Sequence, residues 1–264
     1  MIHKNIINTY SDLARSGKFP DDTYLHRDLL KLIKDRVGNT DRLNILDVGS
    51  GAGYFGLNLT QMEHNVTMID PSYSALRLAG KRVKYSNINS KVNIVVGDGE
   101  MLPFTKDKFD IIVCIFVFSH LESPSKALSE IARVLCKNSK ALISFENKLW
   151  HVISNSLKED YKQAFSLLLK DKPAIKAYDI LPPVKLYTLS EIQEMCNSCG
   201  LDIISVSGLR YLTAFQEVLK GIGTTDAEKI LISDKNAGDL EKILSDNKDF
   251  LQIARHFLVE CSPV

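Results

Sequence analysis

No stretch of this 264-residue sequence is apolar for the length that a bilayer requires, so a membrane-spanning helix is not expected. Its opening, MIHKNIINTYSDLARSGK, lacks an apolar secretory core and carries Asp12, so no export signal is read there. Neither sign of charge is in excess. Lys plus Arg number 33 against 32 Asp plus Glu, net +1, with no basic arm, which leaves little to grip a nucleic-acid backbone. The five cysteines are odd in number and scattered through predicted strands and helices, a pattern of small buried residues in a reducing compartment. A cytoplasmic location follows as the expectation. Cys196-x-x-Cys199 has no second pair and sits at a helix end, so no metal site is expected. Internal repeats and low-complexity segments are absent too. What is present is average for a soluble globular chain, 45% hydrophobic and 25% charged, long enough for one α/β domain with an insertion. Such a chain is expected as a monomer or a homodimer.

From Asn44 to about Phe145 short β-branched runs alternate with helical patterns, the signature of βαβ units and a doubly wound, mostly parallel α/β sheet. Strands are expected at Asn44 to Val48, Val66 to Asp70, Asn93 to Val96, Asp110 to Ile115 and Ala141 to Phe145, most of them continuously apolar as buried parallel strands are. Two more follow at Leu201 to Val206 and Ala254 to Cys261. Ser72 is placed to cap one helix, Ser123 with Pro124 opens another, and Thr188-Leu-Ser-Glu191 reads as a capping box for a helix that ends at Gly200. The chain divides into an N-terminal helical cover (1–43), a cofactor-binding core (44–146), a helical lid (147–187) and a completion of the core (188–264) with a helical excursion at about 209–250.

Most informative is Ile45-Leu-Asp47-Val-Gly49-Ser50-Gly51-Ala-Gly53-Tyr-Phe-Gly56, a strand running into a glycine-rich turn that opens a helix. Glycines let the backbone turn sharply and approach a ligand, and the amides of the helix start can meet a polar group, so a nucleotide-like cofactor fits. Gly51-x-Gly53-x-x-Gly56 also matches the dinucleotide fingerprint, and context must decide. Asp70 ends the second strand about 20 residues on, where a carboxylate can accept both ribose hydroxyls. Asp98 follows the third strand in Val-Gly-Asp98-Gly99-Glu100-Met101-Leu-Pro-Phe. Three acidic strand ends repel a pyrophosphate and suit a zwitterionic nucleoside.

These pieces, LDVGSGAGYFG, TMIDPS, VGDGEMLPF, FDIIVCIFVFSHL and EIARVLCKNSKALIS in that order, resemble the class I S-adenosylmethionine-dependent methyltransferases, particularly the ubiquinone and menaquinone biosynthesis branch. The resemblance implies a seven-stranded Rossmann-like sheet whose last strand is antiparallel, with S-adenosylmethionine as cofactor and S-adenosylhomocysteine as product. It implies that Asp47, Gly49, Ser50 and Gly51 surround the methionine part, with Gly53 completing the turn. Asp70, followed by Pro71, would hold the ribose. Asp98, Gly99, Glu100 and Met101 would border the adenine, and Cys114, Ile115 and Phe116 would lie beneath the cofactor. The stretch from Phe19 through Tyr24 to Arg27 is similar to an entry segment folded over the cofactor, with Arg27 meeting a carboxylate.

A sulfonium methyl is already activated, so the protein has mainly to align the acceptor and exclude water. Where the acceptor starts protonated, His120 is the best placed general base. Tyr10, Phe19, Trp150, Tyr178, Tyr187 and Arg210, from the variable parts of the chain, are the candidate acceptor-binding residues, with His151 and Tyr211 beside them. Glu146, Asp160 and Asp179 are candidates to neutralise a basic acceptor. The fourth strand does not run into the Asn/Asp-Pro-Pro-aromatic turn that base-methylating relatives of this fold use, so the expected acceptor is a nitrogen or oxygen of a small molecule or short peptide. Two rival classes are an NAD-dependent oxidoreductase on a similar glycine loop and a non-catalytic nucleoside-binding protein.

Overall fold

A computed structural model describes residues 2–17, 24–38, 42–86, 91–170, 173–176, 183–212, 214, 239–240, 243–245 and 247–264. Two helices lead, α1 (Ile2–Arg15) and α2 (Tyr24–Val37). Strand–helix alternation then runs through β1 (Asn44–Val48), α3 (Tyr54–Thr60), β2 (Asn65–Asp70), α4 (Tyr73–Tyr85), β3 (Val92–Val96), β4 (Phe109–Cys114), a 3-10 turn (Phe118–His120), α5 (Pro124–Val134) and β5 (Leu135–Glu146). The insertion holds α6 (Lys148–Leu157), α7 (Tyr161–Leu169) and the short antiparallel pair β6 (Ala174–Ile175) and β7 (Val184–Lys185). The chain closes with α8 (Leu189–Ser198), β8 (Leu201–Leu209), a second 3-10 turn (Lys248–Ile253) and β9 (His256–Pro263).

The sheet is seven-stranded in the order β3-β2-β1-β4-β5-β9-β8. β1 pairs in parallel with β2 and β4, β2 with β3, and β4 with β5, while β9 runs antiparallel to both β5 and β8. The chain therefore starts in the middle, works outward to β3 and returns to the other side at β4. Ligands of such sheets bind outside the carboxyl ends of the strands at that reversal, here β1 and β4.

Alternation along the strands builds two cores. Leu46, Val48, Ile112, Cys114 and Ile143 face one side with Leu128 and Ile131 of α5 and Ile192 of α8. Ile45, Val66, Met68, Ile111, Val113, Leu142 and Leu258 face the other with Leu29 and Ile33 of α2 and Phe55 and Leu59 of α3. Ordering by period two places Asp47, Glu146 and His256 on this second face, at or near the ligand edge of the sheet. Arg36 of α2 fastens the same face lower down, donating to Glu260 and Ser205 at 2.6 Å and to Ser207 at 2.8 Å.

Ser72 caps α4, accepting from Ala75 N at 3.2 Å, and Thr188 with Glu191 forms the full capping box on α8. Several boundaries differ from the sequence expectation. β5 starts at Leu135, directly where α5 ends, because Leu135 pairs with Phe109 before a register shift restores regular pairing at Lys140. β8 runs on to Leu209 and β9 begins at His256, since Gly208 pairs with Phe257 and Leu209 with His256. Ser123 makes no side-chain cap. Most of the helical excursion expected at about 209–250, and the candidates Phe19, Tyr178 and Asp179, lie outside the described residues.

Candidate functional site

The turn after β1 is shaped by glycine where no other residue fits. Gly53 ends the turn with φ +83° and serves as the N-cap of α3. At Gly56 a Cβ would lie 2.8 Å from Met68 Cγ and 2.9 Å from Asp47 Oδ2, so α3 approaches the sheet closely enough for Gly56 N–H to donate to Asp47 Oδ2 at 2.9 Å. That bond aims the Asp47 carboxylate into the start of the helix, 2% exposed.

Across the turn, Asp70 accepts from Gly51 N at 2.9 Å through one oxygen and from Ser72 N at 2.8 Å through the other. Each carboxylate oxygen keeps a further lone pair for a ligand hydroxyl. Burial pushes the Asp70 carboxyl above its ordinary range, against the pull of those two amides. Asp47 is raised to about 7, chiefly by burial, with the charge of Asp70 adding to it. Among the described residues, neither carboxylate has a cationic partner. Ser50 Oγ is buried nearby without a hydrogen-bond partner. Two buried acids lacking a counter-charge, an orphaned hydroxyl and a cradle closed to any Cβ fit a positively charged nucleoside far better than a pyrophosphate. S-adenosylmethionine meets that description; these residues would hold it, Asp70 at its ribose and Asp47 and Ser50 toward its amino-acid end.

The loop after β3 borders the same edge. Asp98 Oδ1 accepts from Glu100 N at 2.9 Å, and a Cβ on Gly99 would stand 3.0 Å from Val48 Cγ1 at the end of β1. Glu100 also fastens this loop to the chain before α5. Its Oε1 accepts from Glu122 N at 2.6 Å and Ser123 N at 3.0 Å, which ties the loop to the two residues that lead into α5. Met101 is 69% exposed. Leu102 N donates to Glu130 at 2.7 Å, and Arg133 donates to the carbonyls of Phe104 and Leu102, so α5 holds the loop in place.

Beyond β4 the chain makes a strained corner. Cys114 and Ile115 are buried, while Phe116 adopts φ +60°, held by Phe116 N–H donating to Ser144 Oγ of β5 at 2.7 Å. Its ring stands edge-on to His26 of α2 (5.4 Å) and to His256 of β9 (5.6 Å). His120 Nε2 and Tyr10 Oη are 3.0 Å apart, and His120 Nδ1 is buried without a partner. Burial lowers His120 to about 4, with Glu146 working in the opposite direction. Ser11 Oγ and Ser72 Oγ lie 2.7 Å apart, so α1 reaches from the helix α4 cap to His120 across this edge.

Glu146 ends β5 at the centre of a buried cluster. His151 Nε2 is 2.7 Å from its Oε1, His256 Nδ1 2.9 Å from its Oε2, and Arg255 Nε 3.4 Å from Oε1. Burial alone would raise this carboxyl, yet the surrounding His256, His151 and Arg255 hold it well below its ordinary range. Already compensated in this way, Glu146 is not left to neutralise a basic acceptor. Asp160 caps α7, accepting from Gln163 N at 3.0 Å, and is likewise occupied.

The other candidates are distributed as follows. Tyr187 is buried, its hydroxyl donating to Phe118 O at 2.9 Å, so it supports the turn that carries His120. Trp150 is buried against Ala214. Arg210 is at the end of β8 with φ +59°, close enough for its charge to act on His256. Tyr211 is buried over Gly208. Arg27 is exposed on α2, and Tyr24 is the first residue of that helix. His26, Arg255 and His256 carry no signal in the sequence, since the groups they meet, Phe116 and Glu146, are far away in the chain.

The chain is similar in sequence and in fold to known methyltransferases. The methyltransferase-domain family model matches residues 46–143, from β1 to β5. A "Ubiquinone biosynthesis O-methyltransferase" of Rickettsia bellii is 27% identical over 227 residues, covering 80% of this chain and 86% of its own. A protein of the same name from Coxiella burnetii is 25% identical over 215 residues, covering 80% and 87%. Among solved structures, a SAM-dependent methyltransferase from Methanosarcina mazei superposes with TM-score 0.60 at 17% identity, covering 85% of this chain and 94% of its own, a likeness of fold.

Proposed function

The chain belongs to the class I S-adenosylmethionine-dependent methyltransferases, and on that premise we propose that it methylates an oxygen atom, still carrying its proton, on a small molecule. The cofactor supplies a methyl group on a sulfonium, electrophilic without further activation. What falls to this protein is to place the acceptor lone pair in line, keep water out and take up a proton.

The observation that carries the choice of oxygen is the chemistry of the acceptor edge. Its buried histidines offer unpartnered ring nitrogens, His120 Nδ1 and His256 Nε2, whereas its carboxylate, Glu146, is already surrounded by Arg255, His151 and His256. Among the described residues, a cationic amine would find no uncompensated acid there and would face the arginine. A neutral O–H group finds hydrogen-bond acceptors suited to it. The similarity to O-methyltransferases of ubiquinone biosynthesis supports the same choice.

In this reading Tyr10 and α1 close the site from above, and His120 Nδ1 contacts the acceptor, as the tautomer with Nε2–H toward Tyr10 allows. Turnover of labelled S-adenosylmethionine with phenol and catechol, against benzylamine at equal concentration, tests the assignment. Label is expected on the phenols; label on benzylamine alone would overturn the choice of oxygen.

A further inference from the structure

His256 is the first residue of β9 and pairs with Glu146 on one side and Leu209 on the other, so it sits at the ligand edge of the sheet although it belongs to an antiparallel strand. It is 4% exposed. Its Nδ1 is 2.9 Å from Glu146 Oε2, and its Nε2 is buried with no hydrogen-bond partner. Phe116, the residue that leaves β4 beneath the expected cofactor, stands edge-on to the same ring at 5.6 Å.

We propose that Glu146 and His256 form an acid–histidine pair in which Nε2 of His256 receives the proton of the acceptor oxygen. This deepens the oxygen-methylation reading and rests on it for the identity of the proton donor. An ionised Glu146 fixes the proton of a neutral imidazole on Nδ1, which leaves the buried Nε2 lone pair as the unpartnered position. As the acceptor oxygen uses a lone pair to form the new C–O bond, its proton passes to Nε2, and the electron pair of the broken S–C bond stays on sulfur. The imidazolium so formed lies against a carboxylate, and the proton leaves to water when the products depart. His120 lacks that support at contact distance: its partner is the neutral Tyr10 hydroxyl. It is therefore the better group for holding the acceptor, and His256 the better sink for its proton.

Among the described residues, charged groups on either side of His256 act on this balance. Glu146 of β5 favours the imidazolium, while Arg255 before β9 and Arg210 after β8 oppose it, and burial opposes it most of all. His151 of α6 shares Glu146 through the other oxygen. The pair is consequently poised: neutral before reaction and chargeable during it.

Nitrogen-15 spectra of the imidazoles in the full-length protein with S-adenosylhomocysteine bound read the pair directly, whatever the acceptor. At pH 7 His256 is expected as the neutral tautomer protonated on Nδ1 with a bare Nε2, and Glu146→Gln is expected to disturb that tautomer. A proton on Nε2, or an imidazolium persisting from pH 5 to pH 8, would overturn the proposal. The kinetic arm compares His256→Asn with His120→Asn on a turned-over phenol. His256→Asn is expected to lower kcat about 100-fold or more and to flatten its acidic limb, with S-adenosylhomocysteine affinity unchanged as the check on folding. His120→Asn is expected to raise KM more than it lowers kcat. Unaltered kcat and pH profile in His256→Asn would refute the role. If the wild type methylates no phenol, the acceptor reading fails, and the tautomer still decides the pair.

Discussion

Replacing Asp47 with asparagine should make the ligand-free protein more stable and its cofactor binding weaker, and the size of the first effect follows from one carboxyl group. Asp47 is 2% exposed, and burial lifts it from an ordinary 3.8 to about 7, with Asp70 contributing in the same direction. Each tenfold change in proton affinity is worth about 1.4 kcal/mol, so holding this group ionised in the folded chain costs about 4 kcal/mol. The sign follows from proton counts. Between pH 4 and pH 7 the folded protein keeps a proton that the unfolded chain has released. Stability therefore falls as pH rises through that window, and the whole penalty is present above it. Asp47→Asn keeps an oxygen for Gly56 N–H but has nothing to ionise. Urea denaturation of both proteins at pH 4, 6 and 8 should show curves that converge at the lowest pH and separate by up to about 4 kcal/mol at the highest. A difference that does not grow with pH would refute the account of Asp47 as a buried acid awaiting a cation. Cofactor affinity should move the opposite way, the usual tension between a functional site and stability.

Asp70→Ala removes the acceptor of two loop amides and the carboxylate that would meet the ribose hydroxyls, so retention of labelled S-adenosylmethionine on filters should fall by about 1.5–3 kcal/mol, tenfold to over a hundredfold. Gly56→Ala puts a methyl 2.8 Å from Met68 Cγ and 2.9 Å from Asp47 Oδ2, and should lower stability by about 1–3 kcal/mol in denaturant titration. Glu100→Ala should remove two hydrogen bonds at the entry to α5 and lower the melting temperature in step with a loss of about 1 kcal/mol, with little change in affinity for S-adenosylhomocysteine. A large loss of affinity with unchanged melting would instead return Glu100 to the adenine.

The parts of the molecule that were legible in the sequence are those governed by local rules. A buried parallel strand must be apolar, a sharp turn under a helix must be glycine, and a capping box must present Thr188 and Glu191 three residues apart, so these features stand in the chain as written. The acceptor edge obeys no such rule. Glu146 meets His256 only because β5 and β9 pair in one particular antiparallel register, and nothing near Arg255-His256 announces that pairing. Glu100 reads locally as one acid in an acidic loop, yet it serves a helix start 22 residues away. The beginning of β5 was hidden for another reason. Lys137-Asn138-Ser139-Lys140 is polar, and the strand persists there through pairing around an irregular register, with Asn138 at φ +62°.

The central claim is that the turn after β1, Asp47 and Asp70 form a receptor for a cationic nucleoside. Isothermal titration of the wild-type protein with S-adenosylmethionine, and separately with NAD, puts the question most directly. One site filled by S-adenosylmethionine, with protons released near pH 7 as Asp47 ionises and no heat from NAD, is the outcome this structure requires. Saturable binding of NAD, or no binding of either, would contradict it.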